Sequence, residues 1–175
     1  ALQALKAAGF RFVMVSNQDG LGTPSFPLAD FQPVQDFILA LFASQGIEFD
    51  TVLICPHFAR DGCTCRKPGV ALITPYLAGH PLDPARSYVI GDRDTDLTLA
   101  RNLGLTGLRV RAGGGPGEDW PAVTRRILES SRRATLARKT RETDIQVDID
   151  LSHAEGSSIH TGIGFFDHML EQIAR

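Results

Sequence analysis

The sequence predicts an α/β protein whose first part is a doubly wound parallel sheet. Short apolar runs rich in β-branched residues occupy residues 10–15, 51–54, 87–90 and 105–110, and helical patterns separate them. Unbroken apolar runs of this length are typical of parallel strands buried on both faces. Polar loops follow several of these runs, and in such folds the carboxyl ends of the strands carry the functional site.

The composition restricts the kind of protein. The 175 residues are 43% hydrophobic and 22% charged, and the formal net charge is −2, so there is no basic excess for binding nucleic acid. No apolar run approaches the roughly 20 residues of a membrane span, and no signal peptide opens the chain. Thiols held for a metal favour a reducing, cytoplasmic location. Both ends interrupt helical patterns, so we expect a fragment of a longer protein.

A cluster of metal-ligand residue types lies at residues 55–65. It contains all three cysteines of the chain and one histidine, namely Cys55, His57, Cys63 and Cys65. Thiolate and imidazole ligands suit tetrahedral Zn²⁺, and Gly62 allows the turn that folds the second ligand pair onto the first. Four protein ligands leave no position for water, so a structural zinc is expected. The alternatives are buried thiols, a redox role, or a disulfide, which the odd number of cysteines disfavours.

The loop at residues 16–22 follows the first predicted strand and is polar and glycine-spaced. Its hydroxyl and N–H groups are suited to holding an oxyanion, although a plain surface turn has the same composition. The next apolar positions follow helical spacing over residues 28–45, and the phenylalanines among them are interpreted as core residues.

A second helix is predicted from Pro68 to about Leu77, because proline suits the first helical turn. Lys67 would then lie at the helix N-terminus, where its charge and the helix dipole both favour a phosphate. Pro75 falls inside this pattern and is expected to kink or shorten the helix.

Three carboxylates follow the third predicted strand at alternating positions, namely Asp92, Asp94 and Asp96. Oxygen ligands in this arrangement favour a hard cation such as Mg²⁺. Asp94 or Asp96 is also suited to capping the helix predicted at residues 95–103. We assign Asp92 to the metal and Asp96 to capping or to supporting the site.

Three segments, in this order and each after a predicted strand, resemble motifs two to four of the haloacid dehalogenase (HAD)-like phosphatases: Ser16-Asn17-Gln18, Lys67-Pro68 and Gly91-Asp92-Arg93-Asp94-Thr95-Asp96. The cysteine cluster before the lysine is similar to that of the histidinol-phosphatase branch, which includes heptose bisphosphate phosphatases. The resemblance implies that Ser16, Asn17 and Lys67 bind the phosphoryl group and that Asp92 binds Mg²⁺. The nucleophile and general acid of this family belong to an earlier Asp-x-Asp-Gly motif. This sequence lacks that motif, so no catalytic residue is assigned and the chain alone is expected to be inactive.

A second domain is predicted after a change in composition. Residues 112–119 are rich in glycine, and a helical pattern begins at Trp120. We therefore divide the chain into a phosphatase domain at 1–111, a linker and connecting helix at 112–137, and a second domain at 138–175. Period-two alternation from Ile145 to Leu151 predicts a half-exposed antiparallel strand.

Residues 138–175 are similar to the opening of the imidazoleglycerol-phosphate dehydratases, most clearly over Thr161-Gly162-Ile163-Gly164-Phe165-Phe166-Asp167-His168-Met169-Leu170. The resemblance implies the first part of an α+β dehydratase domain, in which Glu142 contacts substrate and His168 binds Mn²⁺. Without that run, the Asp167-His168 pair would be interpreted as surface or capping residues.

Together the two resemblances imply a role in histidine biosynthesis. The expected reactions are Mg²⁺-dependent hydrolysis of L-histidinol phosphate through an aspartyl-phosphate, and dehydration of imidazole glycerol phosphate to imidazole acetol phosphate. The partners would be these phosphate esters, without nucleic acid or membrane, and the full-length protein would be a homo-oligomer. The alternatives are a heptose bisphosphate phosphatase of the same branch and a non-catalytic zinc-bearing interaction module.

Overall fold

The computed structural model describes residues 1–130, 132–151 and 158–173, and the chain divides into two compact units, Ala1–Leu128 and Glu129–Arg175. The first unit contains, in order, α1 (Leu2–Ala7), β1 (Val13–Asn17), α2 (Leu28–Ser44), β2 (Thr51–Cys55), a 3₁₀ turn (Ala59–Asp61), α3 (Thr74–Gly79), β3 (Tyr88–Gly91), α4 (Asp94–Asn102), β4 (Thr106–Arg109) and α5 (Trp120–Ser130). The last two residues of α5, Glu129 and Ser130, are counted with the second unit. The second unit contains β5 (Arg133–Lys139), β6 (Asp144–Asp150) and α6 (Gly164–Ile173).

The predicted α/β class with parallel strands is confirmed. Strand β1 pairs in parallel with β2, from Val13 opposite Thr51 to Asn17 opposite Cys55. Strand β3 pairs in parallel with β4. In the described part of the chain these are two separate two-stranded sheets and not the single sheet that we predicted.

The expected burial of these strands on both faces is wrong for all four strands. In β2 only Cys55 is buried, in β4 only Leu108 is buried, and β1 and β3 are only partly buried along their whole length. Residues of β1 and β3 line one cavity of about 440 Å³ in the first unit. The cavity explains the exposure of β1 and β3, because a strand that faces open space keeps part of its surface accessible.

The core of the first unit forms around Leu5, Leu108, Val123 and Ile127, which are at most 2% exposed. Two of these residues belong to α5, which we had interpreted as a connection between domains. Its apolar residues are one helical turn apart and therefore share the face that packs into the core. Helix α5 up to Leu128 thus completes the first unit.

The glycine-rich segment predicted to be a linker also lies within the first unit. The backbone N–H of Arg111 donates to the carbonyl of Glu118 at 2.7 Å, and the N–H of Glu118 donates to the carbonyl of Arg109 at 3.0 Å. These hydrogen bonds close the segment into a loop that leads directly into α5.

Three predictions about helices are corrected. Helix α3 begins at Thr74 and not at Pro68, so Lys67 does not lie at a helix N-terminus. Pro75 stands in the first turn of α3, where its missing N–H costs no helical hydrogen bond, and it therefore starts the helix instead of kinking it. In α2 the core interpretation holds for Phe31, which is buried, but Phe37 is 69% exposed.

The second unit contains a hairpin of antiparallel strands, in which β5 pairs with β6 from Arg133 opposite Asp150 to Lys139 opposite Asp144. The hairpin begins at Arg133, before the boundary predicted at 138. Strand β5 belongs to it because β6 needs a partner strand for its backbone hydrogen bonds. Strand β6 was predicted to be half-exposed, but every residue in it is exposed, and Ile145, Val147 and Ile149 are 41–49% accessible. Among the described helices none is both long enough and apolar enough to cross a bilayer.

Candidate metal centre and phosphate-binding site

The four predicted zinc ligands lie together. The three Cys sulfur atoms are separated by 3.3, 3.4 and 3.7 Å, and Nδ1 of His57 lies 3.2 Å from Sγ of Cys65 and 3.6 Å from Sγ of Cys55. Ligands at ~2.3 Å from a tetrahedral ion would be about 3.8 Å apart. The donor set and its spacing therefore fit Zn²⁺. All three thiols are free, so the disulfide alternative is not formed.

Local structure explains why these side chains meet. Cys55 is the last residue of β2 and is fully buried. The chain then turns through the 3₁₀ segment, which Asp61 stabilises by accepting a hydrogen bond from the N–H of Phe58 at 2.9 Å. Gly62 follows with a φ of +60°, a left-handed conformation that favours glycine. This reversal returns Cys63 to Cys55, as the sequence predicted.

The thiols differ in acidity. Burial raises the pKa of Cys55 to about 12. At Cys63 burial also acts to raise the pKa, but hydrogen bonds from the Cys65 side chain, the Arg66 backbone, the Cys55 side chain and the Cys65 backbone outweigh it and lower the pKa to about 7. Zinc binds thiolates, so metal binding at this cluster releases protons.

Lys67 is the point at which the predicted phosphate-binding segments meet. Its ammonium donates to the carbonyl oxygen of Val15 in β1 at 2.8 Å and forms an ion pair with Oδ1 of Asp96 in α4 at 2.7 Å. The Lys67 and Asp96 side chains are 16% and 6% exposed. The structure thus brings β1 and the first turn of α4 to one lysine, which local sequence alone did not show.

Asn17 was expected to bind phosphate, and the structure shows it bound to the backbone of Lys67. Its Oδ1 accepts the Lys67 N–H at 2.9 Å, and its Nδ2 donates to the Lys67 carbonyl at 3.2 Å. The Asn17 carboxamide therefore positions the Lys67 backbone through these two hydrogen bonds. The peptide bond from Lys67 to Pro68 is cis. The neighbouring hydroxyl of Ser16 accepts a hydrogen bond from Nε2 of Gln18 at 2.9 Å.

The three carboxylates after β3 do not converge. Asp94 pairs with Arg109, and Asp96 is 4% exposed and accepts the N–H of Arg93 at 3.1 Å as well as pairing with Lys67. Asp92 is exposed. Within the described residues only the Cys/His cluster brings three or more such ligand atoms together. The magnesium site at Asp92 and the supporting role of Asp96 therefore both stay predictions, although Asp96 does accept a hydrogen bond at the start of α4 and pairs with Lys67.

From the sequence, Gly91 is interpreted only as part of a motif and is given no role of its own. In the structure, the absence of a side chain on Gly91 makes the position of Asp96 possible. A Cβ atom on Gly91 would overlap the Asp96 carboxyl group. A glycine at a strand end next to an acidic cluster is the signal in the sequence for such a close approach.

The residues predicted for the second site lie on different elements of the second unit. Glu142 is in the turn between β5 and β6, where its N–H donates to Oγ1 of Thr140 at 3.3 Å. His168 is exposed on α6. Beside it, Asp167 accepts hydrogen bonds at 2.6 Å from both Oγ1 and N–H of Thr161, and the side-chain bond is the main cause of its lowered pKa. Substrate contact at Glu142 and Mn²⁺ binding at His168 stay predictions.

Comparisons with known proteins agree with this geometry. Residues 64–134 match the model of the HAD-hydrolase-like family. Over 99% of its length the chain is 51% identical to the histidine biosynthesis bifunctional protein HisB of Baumannia cicadellinicola and 50% identical to that of Campylobacter jejuni. It covers 48% and 47% of these proteins, so the chain spans about half the length of the curated relatives it matches.

A solved structure is also similar to most of the chain. The D,D-heptose 1,7-bisphosphate phosphatase from B. bronchiseptica, complexed with magnesium and phosphate, is 29% identical and superposes with a TM-score of 0.62, covering 73% of this chain and 80% of that one. With the parallel strands, these matches confirm the predicted fold class and the similarity that the motifs predict. The chain is a homologue of the bifunctional histidine-biosynthesis proteins, and its residues 64–134 match the HAD-hydrolase-like family.

Proposed function

We propose that the protein to which this chain belongs hydrolyses L-histidinol phosphate to histidinol and phosphate. The observation that carries the proposal is the meeting of the Ser16 loop, Lys67 and the segment that begins at Asp92 beside the metal centre. The identity to the HisB relatives supports histidinol phosphate as the substrate.

Lys67 would carry the electrostatic part of the reaction. A phosphate monoester brings close to two negative charges, and a fixed cation in a partly buried site stabilises the charge of the transferring group. Val15 and Asp96 hold the ammonium from two sides, so the charge is already oriented before substrate binds. The Ser16 hydroxyl would donate its hydrogen to a phosphoryl oxygen, and it can do so while it accepts from Gln18.

Two metals complete the proposed site. Mg²⁺ at Asp92 would neutralise further phosphoryl charge when bound. Zinc at the Cys/His cluster would be structural, since its four protein ligands leave no position for a reacting water. It would hold the segment from Cys55 to Lys67 in shape.

The attacking carboxylate, which the family resemblance implies, would come from another segment of the whole protein and form an aspartyl-phosphate. The cavity of about 440 Å³ between β1 and β3 supports a carboxylate supplied by another segment, because Lys67 and Asp96 are among the residues that line it. If that segment formed a strand in the cavity, the end of the strand would lie near the Lys67 ammonium.

We also propose that the whole protein dehydrates imidazole glycerol phosphate to imidazole acetol phosphate and is a homo-oligomer. The support is that the similarity to the bifunctional relatives extends over 99% of the chain and so includes the second unit. Glu142 would bind substrate there, and His168 would bind Mn²⁺.

The second candidate function is hydrolysis of a heptose bisphosphate, which the similarity to the B. bronchiseptica enzyme favours. Phosphate release by the full-length protein with Mg²⁺ distinguishes the candidates, with histidinol phosphate and D,D-heptose 1,7-bisphosphate as substrates. We expect turnover of the first and loss of at least ~100-fold in Lys67→Met, because removing one fixed charge from such a site costs about that much. Lys139→Met, which removes a lysine that is 79% exposed in the second unit, is the matched control.

Preferential hydrolysis of the heptose ester would establish the second candidate. Absence of turnover with either ester would instead support the non-catalytic zinc-bearing module.

A further inference from the structure

Arg66 lies between a predicted zinc ligand and the phosphate-binding lysine, and its guanidinium contacts two different segments. One nitrogen, Nη1, donates to the backbone carbonyl of His57 at 3.1 Å. The same group forms an ion pair with the carboxylate of Asp19, in the loop that begins at Ser16. The Arg66 side chain is only 22% exposed, so the pair is partly shielded from solvent.

The loop at residues 16–22 and the metal-binding segment are joined by further contacts. The N–H groups of Gln18 and Gly20 donate to the carbonyls of Cys55 and Pro56, each at 2.8 Å. A Cβ atom on Gly20 would overlap the ring of Phe58, so glycine is required for this approach. The two segments therefore share one interface along several residues.

Within this interface Arg66 has a distinct position. The contacts of Gln18 and Gly20 are between neighbouring backbones, whereas Arg66 is a side chain that reaches from the metal segment to Asp19. Both contacts of Arg66 use one guanidinium nitrogen, Nη1, whose two hydrogens are fixed in the plane of the guanidinium, whereas the three hydrogens of a lysine ammonium rotate freely.

From these contacts we infer that Arg66 and Asp19 couple the metal centre to the phosphate-binding loop, so that metal and phosphate each strengthen the binding of the other. The inference rests on the proposed function insofar as Ser16 and Lys67 bind phosphate. A metal at the cluster orders His57, the His57 carbonyl orients Arg66, and Arg66 holds the loop that carries Ser16. Asn17 continues the connection by holding the Lys67 backbone.

Thermodynamic linkage makes the coupling measurable without turnover. If a metal raises the affinity for phosphate by some factor, phosphate raises the affinity for the metal by the same factor. The experiment measures zinc affinity of the full-length protein by competition with a chromophoric chelator, with and without saturating inorganic phosphate. We expect phosphate to raise zinc affinity about 5-fold or more, the lower end of the range for coupled sites.

Substitutions identify the residues responsible. Arg66→Lys and Asp19→Asn should each bring the factor towards 1, even if zinc affinity itself also falls. A residue that only stabilises the fold would change zinc affinity equally with and without phosphate and leave the factor unaltered. Arg126→Lys is the matched control, since Arg126 forms an ion pair with Glu118 at 2.8 Å on the surface.

The outcomes separate this inference from the proposed function. Zinc affinity that phosphate does not change in the unsubstituted protein overturns the inference, as does a factor that survives in both Arg66→Lys and Asp19→Asn. Coupling without hydrolysis of histidinol phosphate supports the inference and removes the proposed substrate. Hydrolysis of histidinol phosphate without coupling supports the proposed substrate and overturns the inference.

Discussion

The ammonium of Lys67 lies 2.7 Å from Oδ1 of Asp96, and both side chains are largely removed from solvent. The two residues come from segments far apart in the chain, one following the metal cluster and the other opening α4. Because each charge is the partner of the other, the position of the cation that we propose to bind phosphate depends on a carboxylate that need not touch substrate.

Asp96→Ala should therefore destabilise the chain strongly. The substitution leaves the Lys67 charge without its carboxylate, and breaking a buried ion pair in this way typically costs ~3–5 kcal/mol. Urea unfolding of the 175-residue chain measures the change. Asp94→Ala is the control, because the Asp94 side chain is 92% exposed and its pair with Arg109 should contribute less than ~1 kcal/mol. Equal losses in the two variants would contradict the burial argument.

Gly91→Ala tests the space in which Asp96 lies. The added methyl group would overlap the Asp96 carboxyl, and overpacking of this kind costs about 1–3 kcal/mol. The same substitution at Gly79, where no atom lies within 4 Å of the new Cβ, should be neutral or slightly stabilising. Thermal unfolding of both variants gives the comparison. A Gly91 variant as stable as the Gly79 variant would show that Asp96 relocates without cost.

Removing one zinc ligand should affect the metal-binding segment and not the whole fold. We expect about one zinc per chain, lowered in Cys63→Ser, with most helical circular dichroism retained because the core around Val123 and Ile127 is separate from the cluster. In the full-length protein the variant should raise KM for histidinol phosphate and lower kcat as Lys67 loses its position. Zinc-free wild-type protein with full phosphatase activity would exclude a structural zinc.

The two proposed activities should be separable by substitution in the full-length protein. Asp92→Asn should abolish Mg²⁺-dependent phosphate release and leave dehydratase turnover nearly unchanged. His168→Ala should lower manganese content and dehydratase activity and spare the phosphatase. Steady-state kinetics and metal analysis of both variants provide the test. Unchanged manganese content in the His168 variant would return that residue to the surface interpretation, and joint loss of both activities would indicate misfolding.

Asp50 should contribute to the loss of stability as the pH falls. A hydrogen bond at 2.8 Å from the Tyr76 hydroxyl, together with Arg11, lowers the pKa of this carboxyl below its ordinary value of 3.8. A carboxyl with a depressed folded pKa stabilises the fold above its unfolded pKa, and this contribution is lost as pH falls through the folded pKa. The stability difference between wild type and Asp50→Asn should therefore be largest near neutral pH and shrink below about pH 4. A constant difference from neutral to strongly acid pH would show that charge plays no part.

Much of the local chemistry could be predicted without the structure. Cys55, His57, Cys63 and Cys65 were predicted to meet, because ligands clustered within a short segment can be brought together by a single turn at Gly62, and their ligand atoms do lie within 4.8 Å of one another. The parallel strands were predicted from their apolar runs, and the resemblance to the family from motifs at Ser16, Lys67 and Asp92. The cysteine cluster and each of these motifs are short segments, in which geometry is nearly set by covalent reach.

Contacts between distant segments could not be predicted from the sequence. The pair of Lys67 with Asp96, the hold of Asn17 on the Lys67 backbone and the contact of Arg66 with Asp19 all join segments far apart in sequence. Likewise, the sequence predicts that α5 connects two domains, whereas in the structure its apolar face packs in the core with Leu5. Such contacts depend on how strands and helices pack against one another. Ion pairs and hydrogen bonds form between groups that are close in space, and the order of residues along the chain does not specify which distant groups become close.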